Sequence, residues 1–103
     1  MQMFNKLGVS LVTQTFTKDA IGQLIPIDVK KTVIGEKRNI SGAEISEAGQ
    51  RGIQPQFVVD IWSAEYNGAE LVEIGGLMYH VYRAYQNQKN GKTELYLEER
   101  AQL

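Results

Sequence analysis

The sequence predicts a mainly β protein: a small antiparallel β-barrel of five to six strands, with one short helix or long loop between strands 2 and 3. Three observations lead there. Long stretches rich in β-branched and aromatic residues alternate in polarity and show no helical period. Two glycine-centred turns, Gly75-Gly76 and Asn90-Gly91, separate such stretches in the second half of the chain. Only residues 41–52 carry a helix signature. The 103 residues make one domain, 1–103, because a second would lack a core of its own. A chain of this size buries roughly 65% of its unfolded surface, enough to fold without staples. Curling the sheet into a small barrel is the simplest way to manage its edges.

The elements follow in order. LGVSLVTQTFT (7–17) is the first strand, and TKDAIGQ (17–23) supplies Asp19 and Gly22 for a turn. LIPIDVKKTVIGEKRNI (24–40) is a second long strand. Pro26 cannot donate to a ladder, so it belongs near the strand start or on an edge. Ile25, Ile27, Val29 and Val33 share one parity, interrupted by Lys31, and that face is assigned to the core. Ser41 followed by Glu44 fits a capping box, in which each side chain satisfies a free amide of the other residue. Ala43, Ile45 and Ala48 then lie on one side of a short helix, with Glu44 and Glu47 elsewhere. Gly49 or Gly52 can end it.

IQPQFVVDIWSAEYNG (53–68) resumes the β pattern, with Phe57, Val59 and Ile61 on one face and Val58, Asp60 and Trp62 on the other. AELVEIGGLMYHVYRAY (69–85) is a hairpin that pairs Ile74 with Leu77 and Val72 with Tyr79. A strict two-residue turn at Asn90-Gly91 would pair Tyr85 with Tyr96 and Arg83 with Glu98. It would also set Leu95 and Leu97 opposite the face of Tyr79 and Val81, although all four look like core. One extra residue flips the parity, so a bulge or longer loop is expected within QNQKNGKT.

Composition excludes several functions. The formal charge of −1 argues against a dedicated nucleic-acid binder. Without cysteine there is no disulfide and no thiolate metal site. No apolar run reaches the ~20 residues that span a bilayer, so no membrane partner is expected. The N-terminal stretch lacks a secretory leader's pattern, so a protein made and used in a cytoplasm, or assembled there into something larger, is expected. His80 is the single histidine, flanked by Tyr79, Tyr82, Arg83 and Tyr85. A zinc site would need two or three carboxylates beside it, and no Ser sits in a nucleophile elbow. His80 therefore reads as an outward strand residue beside Leu71. The carboxylate pairs have no sugar-sized cleft evident between them, and no phosphate loop is present. No enzyme activity, cofactor or metal is expected.

What stands out is apolar and aromatic surface in excess of one core. Val58 and Trp62 lie opposite the core face of their strand, and Tyr82 and Tyr85 cannot both share the face of Leu77. Tyr and Trp dominate interface hot spots, so such a domain is expected to assemble. The ordered motifs TKDAIG (17–22), SGAEISEA (41–48), FVVDIW (57–62), GGLMYHV (75–81) and ELYLEER (94–100) resemble the phage head-closure family, also called head–tail joining or connector stopper proteins. The resemblance covers nearly the whole chain.

The resemblance implies a β-barrel with one helix that forms a homo-oligomeric ring under the portal and adaptor proteins of a filled head. Such a ring retains DNA, which passes through or abuts the channel without sequence-specific binding, and gives the tail terminator or tail-completion protein a docking surface. It implies the virion's head–tail interface as location, with assembly in the host cytoplasm. The candidate interface and channel residues are Glu44, Glu47, Gln50, Arg51, Trp62, Tyr82 and Tyr85. Glycines at 42, 49 and 52 and few apolar residues make residues 41–55 expected to be mobile in the free subunit and ordered in the particle. The competing class is a small β-barrel binding module for a ligand or nucleic acid.

Overall fold

The structure, a computed structural model, describes residues 6–99. Its elements are β1 (Lys6–Lys18), β2 (Leu24–Arg38), α1 (Gly42–Gln50), β3 (Pro55–Trp62), a 3-10 turn (Ser63–Glu65), β4 (Leu71–Ile74), β5 (Leu77–Asn87) and β6 (Lys92–Glu99). All strand pairs are antiparallel, and they close in the order β1-β2-β3-β6-β5-β4. The predicted class stands: a closed barrel of six strands with one short helix between strands 2 and 3.

Alternation fills the barrel. Val9, Leu11, Val33, Phe57, Val59, Ile61, Val72, Tyr79, Val81, Leu95 and Leu97 are buried in one cluster. Phe57 and Tyr79 meet edge to face with centroids 5.1 Å apart, a favoured aromatic geometry. Gly35 is also buried on β2. A Cβ there would lie 2.5 Å from Val59 Cγ1 and 2.8 Å from Val9 Cγ2, so only glycine lets these side chains meet across the barrel.

The turns obey their chemistry. Asp19 Oδ1 accepts from the backbone N–H of Ile21 and of Gln23, and Gly22 takes φ 85°. At the β4–β5 turn Gly75 and Gly76 have φ 59° and 83°, and Ile74 faces Leu77 while Val72 faces Tyr79, as the two-residue turn requires. The β5–β6 register differs from the expectation in an instructive way. The connection runs from Asn87 to Lys92, and Arg83 pairs with Tyr96 and Tyr85 with Glu94. This longer loop shifts the pairing by two residues and leaves the parity unchanged. The flip comes from a bulge between Val81 and Arg83, at Tyr82, which lies outside QNQKNGKT. That bulge lets Leu95, Leu97, Tyr79 and Val81 all face inward.

Two face assignments are corrected. Val33 is core, but Ile25, Ile27 and Val29 are 43%, 44% and 42% exposed. Beyond Val12 the β1–β2 ribbon leaves the barrel, because β4 pairs only with Ser10, Leu11 and Val12 of β1. The parity was right, but those residues lie past the end of the core. The ribbon helps make the molecule 56 Å long against widths of 30 and 26 Å. On α1, Glu44 and Ala48 are the buried positions, whereas Ala43 and Ile45 are exposed. The helix buries its i, i+4 pair Glu44 and Ala48 and packs near β3, where Val58, expected on the exposed face with Trp62, is instead fully buried outside the barrel's interior cluster.

Candidate interface site

The outer wall of the barrel carries a continuous polar and aromatic cluster that begins on α1. Ser41 caps the helix by accepting from the Glu44 N–H at 3.2 Å, so half of the predicted capping box is present. The Glu44 side chain turns to the barrel instead. Its residue is only 9% exposed, and its carboxylate accepts from Tyr82 Oη at 3.0 Å and from the Arg83 guanidinium. The bulge at Tyr82 places these two consecutive residues on the same outer wall, which a regular strand would forbid.

The cluster continues across β6 to β3 and β2. The Arg83 guanidinium lies over the Tyr96 ring, 4.5 Å from its centroid, and Tyr82 meets Tyr96 edge to face at 6.2 Å. Tyr96 Oη donates to Glu94 at 2.8 Å. Arg38 pairs with Glu94 at 3.1 Å and holds Asp60 through two N–H donors. Burial, reinforced by the hydrogen bond to Glu44, pushes the Tyr82 phenol above its ordinary range. Burial and the bond to Glu94 push Tyr96 the same way. The Asp60 carboxylate holds Arg38 still more firmly in its charged form.

This geometry changes the roles expected of the site residues. Glu44 and Tyr82 come together, but as a latch between helix and barrel. Glu44 therefore does not join Glu47 as an acidic pair facing a channel, because its charge is spent on Tyr82 and Arg83. Glu47 and Gln50 are exposed, and Arg51 forms the helix C-cap, its N–H donating to Ala48 O at 3.0 Å. Residues 42–50 form a helix that buries Ala48 and Glu44, so of the two forms the sequence allows for this segment, helix or loop, it is helical here. Tyr85 is exposed opposite Glu94. Trp62 is 54% exposed, with Lys92 Nζ 4.9 Å from its ring centroid. The sequence reading does not single out Arg83 and Tyr96 as site residues, because their meeting depends on the β5–β6 bulge, nor Arg38, whose partners Asp60 and Glu94 come from strands distant in the chain.

Two further surfaces belong to the description. His80 faces Leu71 across β4 and β5, as the sequence reading expects, and its Nδ1 lies 2.8 Å from Glu98 Oε2. It borders an open groove of about 530 Å³ between the β1 ribbon (Val12, Thr13, Gln14) and the start of β4. Among the described residues no group of three or more acidic or histidine side chains is placed to hold a metal, and no helix is long and apolar enough to cross a membrane. The second surface is the bare β1–β2 ribbon.

The fold and its outer cluster define a small closed β-barrel with a helix latched to its wall. No family model and no curated protein matches the chain. In fold it is similar to the solution structure of protein SF1141 from Shigella flexneri 2a, with a TM-score of 0.75 at 14% identity over 96% of this chain and 97% of that one.

Proposed function

We propose that this chain is a structural virion protein of a tailed phage or prophage: a head-closure component that assembles as a ring, retains packaged DNA and offers the tail its docking surface. The observation that carries this reading is the ordered set of motifs from TKDAIG (17–22) to ELYLEER (94–100). The fold is compatible with it, having one helix between strands 2 and 3 of a barrel. Exposed Trp62 and Tyr85 and the bare ribbon supply surface for neighbours. Glu47 and Gln50 on the exposed side of α1, with Arg51 just beyond it, are free to meet another chain.

The deciding experiment is a size measurement of the purified chain alone and with portal–adaptor complexes. A monomer or weak oligomer that becomes a ring on the connector supports head closure. A chain that ignores the connector removes it. The second reading, a small β-barrel binding module, draws on the groove beside His80. It predicts a monomer that takes up a ligand there, seen as shifts confined to Thr13, Leu71 and His80 in NMR titrations.

A further inference from the structure

The β1–β2 ribbon is built like a barrel wall with nothing behind it. Register places Thr13 opposite Val29, Thr15 opposite Ile27 and Thr17 opposite Ile25, so all six β-branched side chains share one face. That face continues, residue by residue, the interior face of Leu11 and Val9. The other face carries Phe16 beside Pro26 and Lys18 beside Leu24. A two-stranded ribbon is marginal alone in water. The apolar part of the first face is Ile25, Ile27 and Val29, each a little over two-fifths exposed, while Phe16 and Leu24 lie on the other, so either face alone is small beside one side of a standard interface and suits a weak contact.

We propose that the ribbon of one copy lies with its Ile25, Ile27 and Val29 face against the barrel wall of a neighbouring copy, at Ile34 and Trp62. The surface offers both halves of such a contact. Ile34 and Trp62 are 62% and 54% exposed and line the same shallow depression of about 100 Å³. A patch that meets a different patch on the next copy is a heterologous contact, which closes into rings or runs on as filaments. The ribbon reaches about 20 Å past the end of β4 at the rise of a β-strand, comparable with a body 26–30 Å wide, so it can bridge to a neighbour. Between Thr13 and Val29 the ribbon carries Lys18 against Asp19 and Asp28, a net charge of only −1, so copies meet with little repulsion and a polyanion gains nothing there. The inference deepens the ring part of the proposed function by naming the contact between copies.

The test uses the chain's lack of cysteine. A nitroxide on Gln23→Cys, at the exposed ribbon tip, is carried by an unlabelled copy and mixed at millimolar concentration with a ¹⁵N-labelled copy. The expected result is intermolecular broadening of the Ile34 and Trp62 amides. It should be lost when the spin-labelled copy also carries Ile27→Lys, and when the ¹⁵N copy carries Trp62→Ala. Ile27 and Trp62 are both exposed, and unchanged shifts of Leu95 and Leu97 verify that each variant keeps its barrel. No intermolecular broadening overturns the proposal, as does broadening confined to ribbon residues, which would mean ribbon-to-ribbon pairing. Copy contact without connector binding leaves the ribbon contact standing and removes head closure. Connector binding without copy contact does the reverse and assigns the ribbon to a different protein.

Discussion

Replacing Glu44 with Ala should unlatch α1 from the barrel while leaving the barrel closed. The carboxylate accepts one hydrogen bond from the part-buried Tyr82 hydroxyl and one from Arg83, whose side chain is 42% exposed. A hydrogen bond to a charged acceptor contributes about 1.5–3 kcal/mol when removal strands its partner. The Arg83 pair, open to solvent, adds only about 0.2–1 kcal/mol. The expected loss is therefore roughly 2–4 kcal/mol, or a fall of about 1 M or more in the urea midpoint at the slope usual for small domains. Far-UV circular dichroism gives the midpoint, and amide exchange shows where the loss falls. Exchange should rise first at Ala48 and Gly49, ahead of Leu95 and Leu97. Glu44→Gln, which keeps an acceptor for Tyr82 but loses the charge, should fall between. A change under about 0.5 kcal/mol, the size of an ordinary surface substitution, would refute the latch. So would a loss spread evenly over helix and barrel.

Gly35→Ala should cost about 1–3 kcal/mol by overpacking, because its Cβ would lie within 2.8 Å of both Val59 and Val9; an unchanged thermal midpoint would contradict the packing described. Tyr82 and Tyr96 hold their protons more firmly folded than unfolded, so the folded state binds more protons at alkaline pH and stability falls as pH rises past about 10. Urea midpoints across that range should drop, and Tyr82→Phe should flatten the slope. Trp62→Ala should cost the fold less than about 1 kcal/mol, since the ring is more than half exposed, yet reduce incorporation into particles. His80→Ala should cost the fold less than about 1 kcal/mol, its partner Glu98 being partly solvated, and leave incorporation unchanged.

Short-range chemistry was legible in the sequence wherever it had one solution. The Gly75-Gly76 turn sets its own register, because two residues with φ > 0 join strands whose twist they match. The alternation of Phe57, Val59 and Ile61 shows which side faces the core, and Ser41 marks the helix start. The parity conflict between Tyr79 and Leu95 even required a bulge. Its place was beyond local reading, since an extra residue anywhere along the hairpin repairs parity equally. Only the tertiary structure put it at Tyr82, where Glu44 of the helix receives the two side chains it brings to one wall. Ile27 and Val59 illustrate the same limit. Both are β-branched and both follow the core parity of their strands, yet one is 44% exposed and the other fully buried. Alternation gives the side of a ribbon; whether anything stands on that side depends on where the neighbouring strands stop. Here β4 ends against Val12, and that length, set by contacts far apart in the chain, decides that the ribbon leaves the barrel.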